Sequence, residues 1–172
     1  MDAITGPSLK DAFRGFMSTY FTGVSIVTSV DGEGRPHGLT CNSLTSITLS
    51  PPTLLVSLGD GSGTLEAVLS RRAFAVNLLH DGGLRAAEIF SSAEPGRFTQ
   101  VAWRRSPHTG LPLLVGDAYA TAECELAMTT VVGDHVVIFG SVVTIRNAPA
   151  NPLLYGMRSF ASRPRLDTRE GR

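Results

Sequence analysis

Charge is sparse in this chain and evenly balanced: 15 Lys and Arg residues stand against 15 Asp and Glu, a formal net charge of +0, and charged residues make up only 17%. Without a basic field, a polyanion partner such as nucleic acid is not expected. Cysteine is scarcer still, and Cys41 and Cys124 have neither metal-ligand spacing nor a CxxC arrangement. That excludes the usual zinc site and dithiol redox pair, and two free thiols suit a reducing compartment. No uncharged apolar run is long enough to cross a bilayer, and the N-terminus lacks the basic-then-apolar order of a secretory signal, so a cytoplasmic protein without membrane association is expected. The four histidines, His37, His80, His108 and His135, lie far apart. None belongs to an HExxH helix or sits beside a Gly-x-Ser-x-Gly turn, which argues against metalloenzyme and serine-hydrolase chemistry and leaves no metal expected.

What is present is ordinary apolar material, 42% of the residues, enough for one domain with a substantial core. Leu9, Ala12, Phe13, Phe16, Met17 and Tyr20 recur at steps of three and four, which predicts a helix over Leu9–Tyr20 with one buried face, capped by Ser8. Gly23 to Val30 reads as a strand ending in the Asp31-Gly32-Glu33-Gly34 turn, with Pro36 to Ser46 returning and continuing through Leu49 to the stop at Pro51-Pro52. Thr53–Leu58 and Ala73–Leu79 are further strands, and helices are predicted from about Leu65 to Arg71 and around Leu84–Phe90. After a loop-rich passage, Ser91 to Pro112, two long strands, Ala118–Thr130 and Val136–Arg146, close the chain. At least six strands joined by short turns, without regular strand–helix alternation, predict a mainly β antiparallel barrel with peripheral helices. The arginines among residues 161–172 read as a solvated, flexible tail following a core of about 13–160.

Within that frame Pro36–Ser46 is anomalous, because a strand between apolar neighbours would carry valine and isoleucine and this one carries Thr40, Cys41, Asn42 and Ser43. Their hydroxyl and amide groups suit the carbonyl edge or phosphate of a planar cofactor; a polar strand end bonded to its own backbone is the alternative. Gly59-Asp60-Gly61-Ser62-Gly63-Thr64 delivers hydroxyls and free N–H groups to a helix N-terminus, an arrangement that serves equally for an anion or for a simple cap by Ser62 or Thr64. It lacks the Walker lysine and the GxGxxG spacing. Arg97 in the loop-rich passage can pair with a phosphate. His135 follows Gly133-Asp134 at a tight turn before an apolar strand, so Asp134 can orient an imidazole that faces either a ligand or water.

Together these stretches resemble the flavin reductase family of the FMN-binding split-barrel fold, the reductase components of two-component flavin monooxygenases and halogenases. The resemblance is carried by Thr22-Gly23-Val24, Gly38-Leu39-Thr40-Cys41-Asn42-Ser43, Pro51-Pro52, Ser62-Gly63-Thr64, Phe74-Ala75-Val76-Asn77, Arg97-Phe98 with Trp103, Gly133-Asp134-His135 and Pro152-Leu153-Leu154-Tyr155. It implies a homodimeric six-stranded split β-barrel that reduces FAD, or FMN as the alternative, with NADH, or NADPH as the alternative, and supplies reduced flavin to a partner oxygenase. It further implies that Thr40, Cys41, Asn42 and Ser43 meet the flavin ring and phosphate, that Ser57, Ser62 and Thr64 cradle the ribityl–phosphate, and that Arg97 lies near the phosphate end. Gly133, Asp134 and His135 fall to the nicotinamide side, with His135 near the hydride donor, and Phe160 to stacking on the nucleotide. Two positions depart from the family pattern: Gly59-Asp60-Gly61 has no basic residue, and Gly156-Met157-Arg158-Ser159-Phe160 replaces a Tyr-Arg-Gly-x-Tyr run. The competing class is a non-catalytic flavin- or haem-binding split-barrel protein.

Overall fold

The computed structural model describes residues 8–162. After a first helix, α1 (Leu9–Ser18), come β1 (Thr22–Gly23), β2 (Ser25–Val30), β3 (Pro36–Cys41), β4 (Thr45–Leu49) and β5 (Pro52–Gly59). Helix α2 (Gly63–Arg71), β6 (Ala73–Leu79) and α3 (Leu84–Ser91) follow, then β7 (Trp103–Arg105) and β8 (Pro112–Leu114). The chain closes with β9 (Ala118–Val132), β10 (His135–Asn147), β11 (Leu153–Gly156) and β12 (Ser159–Ser162).

Seven of these strands form one antiparallel sheet in the order β3-β2-β6-β9-β10-β5-β4. The strands at its two edges, β3 and β4, are consecutive in the chain and joined by Asn42-Ser43-Leu44, so the sheet curls on itself until its edges meet at that corner. Here the structure corrects the sequence: the returning strand does not run unbroken from Pro36 to Leu49. It pairs with β2 as far as Cys41, turns the corner, and pairs with β5 from Thr45 onward. β3 and β4 can be taken as two halves of one bent strand in this seven-stranded sheet. Pro52 is also no simple stop, because it is the first residue of β5, opposite Leu49 and one residue before the pairing with β10 begins at Thr53, where its missing N–H costs no interior ladder bond.

The interior follows from strand alternation. Val27, Val56, Leu58, Val76, Phe74, Cys124 and Ile138 point inward and form one buried cluster with Leu65 and Val68 of α2, each full burial of a large apolar side chain stabilising by roughly 1.5–3 kcal/mol. Gly140 is needed within it: a Cβ there would stand 2.5 Å from the Phe74 ring, at the bulge where the β9–β10 register shifts. A second cluster, including Val24, Ile26, Leu79, Phe90 and Leu153, seats α3 and β11 against the outside of β2. Asn77, fully buried in β6, locks the two regions together by donating to the Ile26 carbonyl at 3.0 Å and accepting the Leu114 N–H at 2.9 Å.

Helix α1 departs from expectation. Ser8 caps it, accepting the Asp11 N–H at 3.2 Å, but the helix ends at Ser18 and none of its residues is buried. Phe13 is 63% and Phe16 70% exposed, so the apolar face written in the sequence has no cover within the described chain. The loop-rich passage also contains more order than its composition suggested, since β7 and β8 pair as a small hairpin. Of the C-terminal tail, Ala161 and Ser162 belong to β12, and residues 163–172 lie outside the described residues.

Candidate functional site

The corner between β3 and β4 forms the floor of a cleft of about 790 Å³, with β5, the start of β10 and the inner side of α1 as its walls. Thr40, Cys41, Asn42, Ser43, Ser57 and His135 all line it. A second cavity of about 270 Å³ adjoins, sharing Thr40 and Asn42 and adding Val24, Ser91, Tyr155 and Phe160. Asn42 thus stands at the junction of the two spaces.

The polar side chains at this corner divide into those engaged by the protein and those left open. Ser43 is engaged. Its hydroxyl accepts the Ser57 N–H at 2.8 Å and lies 3.1 Å from the Ser57 carbonyl, to which it donates. The β4–β5 ladder ends with Thr45 opposite Leu55, so in a continued ladder Ser43 would be the residue facing Ser57. The main chain has already turned away there, and the hydroxyl replaces the missing strand. Thr40 donates to the Ala87 carbonyl of α3 at 2.6 Å, which fixes its orientation while leaving its lone pairs at the cleft. Asn42, in contrast, is exposed and makes no side-chain hydrogen bond to another described residue, and the Thr22 hydroxyl in the cleft wall is buried without a partner. An unpaired buried hydroxyl is costly, which makes it a natural contact for a ligand.

His135 begins β10 opposite Gly59, the last residue of β5. The sequence put it in the turn; the turn is in fact only Gly133-Asp134, with Gly133 at φ +60, a value that glycine adopts without strain. Asp134 Oδ1 lies 2.7 Å from His135 Nδ1, and this hydrogen bond is the main cause holding the Asp134 carboxyl below its ordinary range. An ionised carboxylate can only accept, so Nδ1 donates to it, and Nε2 is left without a hydrogen bond to another described residue.

The remaining predicted residues do not wall the cleft. Ser62 caps α2, its hydroxyl accepting the N–H groups of Thr64 at 3.2 Å and Leu65 at 3.4 Å, and Thr64 is buried in the first turn. This turn is nevertheless close to the site, because Asp60 N–H donates to the Asp134 carbonyl at 3.0 Å and ties the two turns together. Arg97 caps the other end of α3, donating to the carbonyls of Ser92 at 3.2 Å and Phe90 at 3.4 Å. Phe160 packs edge-to-face on Tyr155, ring centroids 5.2 Å apart, in the smaller cavity. The hairpin that presents this pair turns through Met157 and Arg158, both at positive φ, a strained conformation for residues with side chains.

Sequence reasoning missed Thr22, Tyr155 and the α1 side chains Phe13 and Met17 as site residues. Nothing in their spacing marks them as a site. The apolar face of α1 reads as core, and only the tertiary structure shows it lining a cleft.

Among the described residues no Asp, Glu, Lys or Arg lines the cleft. It is a neutral slot, polar at Thr22, Asn42 and Thr40 and apolar at Leu39, Leu58 and Met17, so it fits a flat heteroaromatic ring better than a phosphate. The model of the flavin reductase like domain matches residues 17–163. The chain belongs to this flavin reductase family. Among curated members it is 53% identical over 148 residues to a flavin reductase (NADPH) of Lentzea aerocolonigenes, covering 86% of each chain. Among solved structures it superposes with a TM-score of 0.85 and 29% identity on the NADH:FAD oxidoreductase of Streptomyces globisporus in complex with NAD and FAD fragments, covering 98% of this chain and 100% of the other. It also matches the flavin reductase component of a bacterial two-component tryptophan halogenase, with a TM-score of 0.82, 30% identity and coverage of 91% and 99%. For this flavin reductase the split barrel expected from the sequence is the fold observed. The unpartnered Thr22 hydroxyl and the open Asn42 amide fit the polar edge of a flavin.

Proposed function

We propose that this flavin reductase oxidises NADH or NADPH, reduces FAD or FMN in the Asn42 cleft, and releases the reduced flavin to a separate monooxygenase or halogenase. The observation that carries the reading is the cleft without acidic or basic side chains among the described residues, in which Thr22 and Asn42 are among the unengaged polar groups and His135 stands at one wall. Bound flavin supplies the electron-accepting chemistry, which explains why no nucleophile or acid–base pair is built around it. The protein's part is to bind, orient and exclude water. Asn42 and Thr22 hydrogen-bond the polar edge of the ring, while Leu39, Leu58 and Met17 cover its apolar body. Cys41 and Ser43 form the corner beneath it, with Ser57 beside them.

The nucleotide enters on the side of Gly133, Asp134 and His135, where Nε2 orients the nicotinamide amide and transfers no proton. Ser62, Thr64 and Arg97 take the flavin phosphates from beyond the cleft edge, and Phe160 with Tyr155 stacks on the nucleotide in the adjoining cavity. A second copy of the chain completes the site as a homodimer. Support for this lies in the uncovered α1 face, in β4, exposed along its whole length with Leu49 at 84%, and in Val131 at 72% on the β9–β10 tip. Apolar exposure on that scale marks an interface.

The test is NAD(P)H consumption by the purified chain with and without added FAD or FMN. Turnover that depends on flavin supports the reading; tight flavin binding without NAD(P)H oxidation would identify a non-catalytic carrier.

A further inference from the structure

At the other end of the long β9–β10 hairpin a cavity of about 520 Å³ opens between β7, β8 and the outer parts of β9 and β10. It shares no residue with either cavity beside Asn42. Arg146 stands eleven residues along β10 from His135, roughly 36 Å at about 3.3 Å per residue, so the flavin and nicotinamide sites do not reach it.

Arg104 of β7 and Arg146 of β10 both line this cavity, and among the described residues no acidic one does. Neither guanidinium makes an ion pair or a hydrogen bond with another described residue. Two like charges in one concavity repel each other unless an anion lies between them, and the planar fork of arginine matches the oxygens of a phosphate or carboxylate. Thr121 supplies the second observation. It faces Arg146 directly across the β9–β10 ladder, and its hydroxyl is buried with no partner among the described residues. Tyr119, on the same side of β9 as Thr121, adds a phenol, while Leu113 and Val115 form an apolar wall.

We propose that this cavity is a second ligand site, for a small organic anion with an apolar or aromatic body. Its phosphate or carboxylate is clamped by Arg104 and Arg146 and accepts a hydrogen bond from Thr121, and its body lies on Leu113 and Val115. The site is separate from the reductase chemistry and does not depend on that assignment.

Calorimetric titration of the full chain, free of flavin and nucleotide, with phenyl phosphate, benzoate and inorganic phosphate tests it. At least one aryl anion is expected to bind saturably, one per chain and at least about tenfold tighter than inorganic phosphate, and Arg104→Ala/Arg146→Ala weakens that binding by about tenfold or more. Because neither guanidinium bonds another described residue, the double variant should melt with the parent and reduce flavin at the parent rate; Arg104→Gln/Arg146→Gln serves if it does not fold. Thr121→Val should weaken binding severalfold. Whichever aryl anion binds more tightly assigns the class, phosphate or carboxylate. The proposal is overturned if neither aryl anion saturates, if inorganic phosphate binds as tightly as both, or if the folded double variant binds like the parent.

Discussion

Replacing Ser43 with alanine should lower the melting temperature far more than any other single change at the cleft corner. The hydroxyl accepts one Ser57 backbone hydrogen bond and donates the other, at 2.8 and 3.1 Å, at the point where β4 has left the ladder. Each bond contributes about 1 kcal/mol net, and leaving the part-buried Ser57 N–H and carbonyl without partners adds to the loss, for a total of roughly 2–3 kcal/mol. A chain of this size shifts by about 2–4 °C per kcal/mol, so the expected fall is on the order of 4–12 °C. Asn42→Ala is the matched control: its side chain holds nothing in the protein, so Tm should stay within about 1 °C while flavin affinity falls by about fivefold, the value of one hydrogen bond. Thermal melts by circular dichroism and flavin fluorescence titration on the two variants separate closure of the barrel from binding. If Ser43→Ala melted with the parent, the hydroxyl would not be what closes the β3–β4 corner onto β5.

Three further outcomes are expected. His135→Ala should raise the Michaelis constant for NADH or slow flavin reduction by roughly tenfold while flavin affinity is little changed; an unchanged NADH dependence in stopped flow would remove His135 from the site. Asp31 accepts from Arg35 Nε at 2.8 Å and from the N–H groups of Glu33 and Arg35, and the Arg35 side chain is the chief cause holding its carboxyl well below the usual range. A depressed folded pKa contributes stability above the unfolded value, near 4, that is lost as pH falls toward the folded one; the gap in Tm between the parent and Asp31→Asn should therefore close below about pH 4, and a gap independent of pH would contradict this. The parent should scatter light as the proposed dimer and Phe13→Ser/Phe16→Ser should shift it toward monomer without unfolding, because neither side chain is buried among the described residues; a monomeric parent would refute the dimer, and a dimer unaltered in the variant would place the interface elsewhere.

The strands and hairpins were legible because each carried its own local signal: alternation in β9 and β10, the Asp31–Gly34 turn, the proline pair after β4. The corner at Asn42–Leu44 was not. Thr40 to Ser46 has the polarity of a continuing strand end, and what breaks it is the curl of the whole sheet, a non-local cause. The same limit applies at the site. Composition singled out Thr40 to Ser43 as polar where apolar residues belong, but could not tell the Ser43 hydroxyl, which replaces a missing strand, from the Asn42 amide, which is left open. Arg97 shows the converse: a cation in a loop reads as a phosphate ligand, and only the structure shows that its guanidinium also caps the C-terminal end of α3. Helix α1 displays its apolar periodicity plainly, and only the fold shows that this face lacks cover among the described residues.

The central claim, that the Asn42 cleft is where flavin is reduced, is tested most directly by anaerobic mixing of the protein with flavin and NADH while the visible flavin absorbance is followed. The parent should bleach the flavin, and Asn42→Ala should bleach it more slowly when flavin is below saturation and recover the parent rate when flavin is in excess. Flavin that keeps its colour with the parent protein, or an Asn42→Ala variant that matches the parent at every flavin concentration, would contradict it.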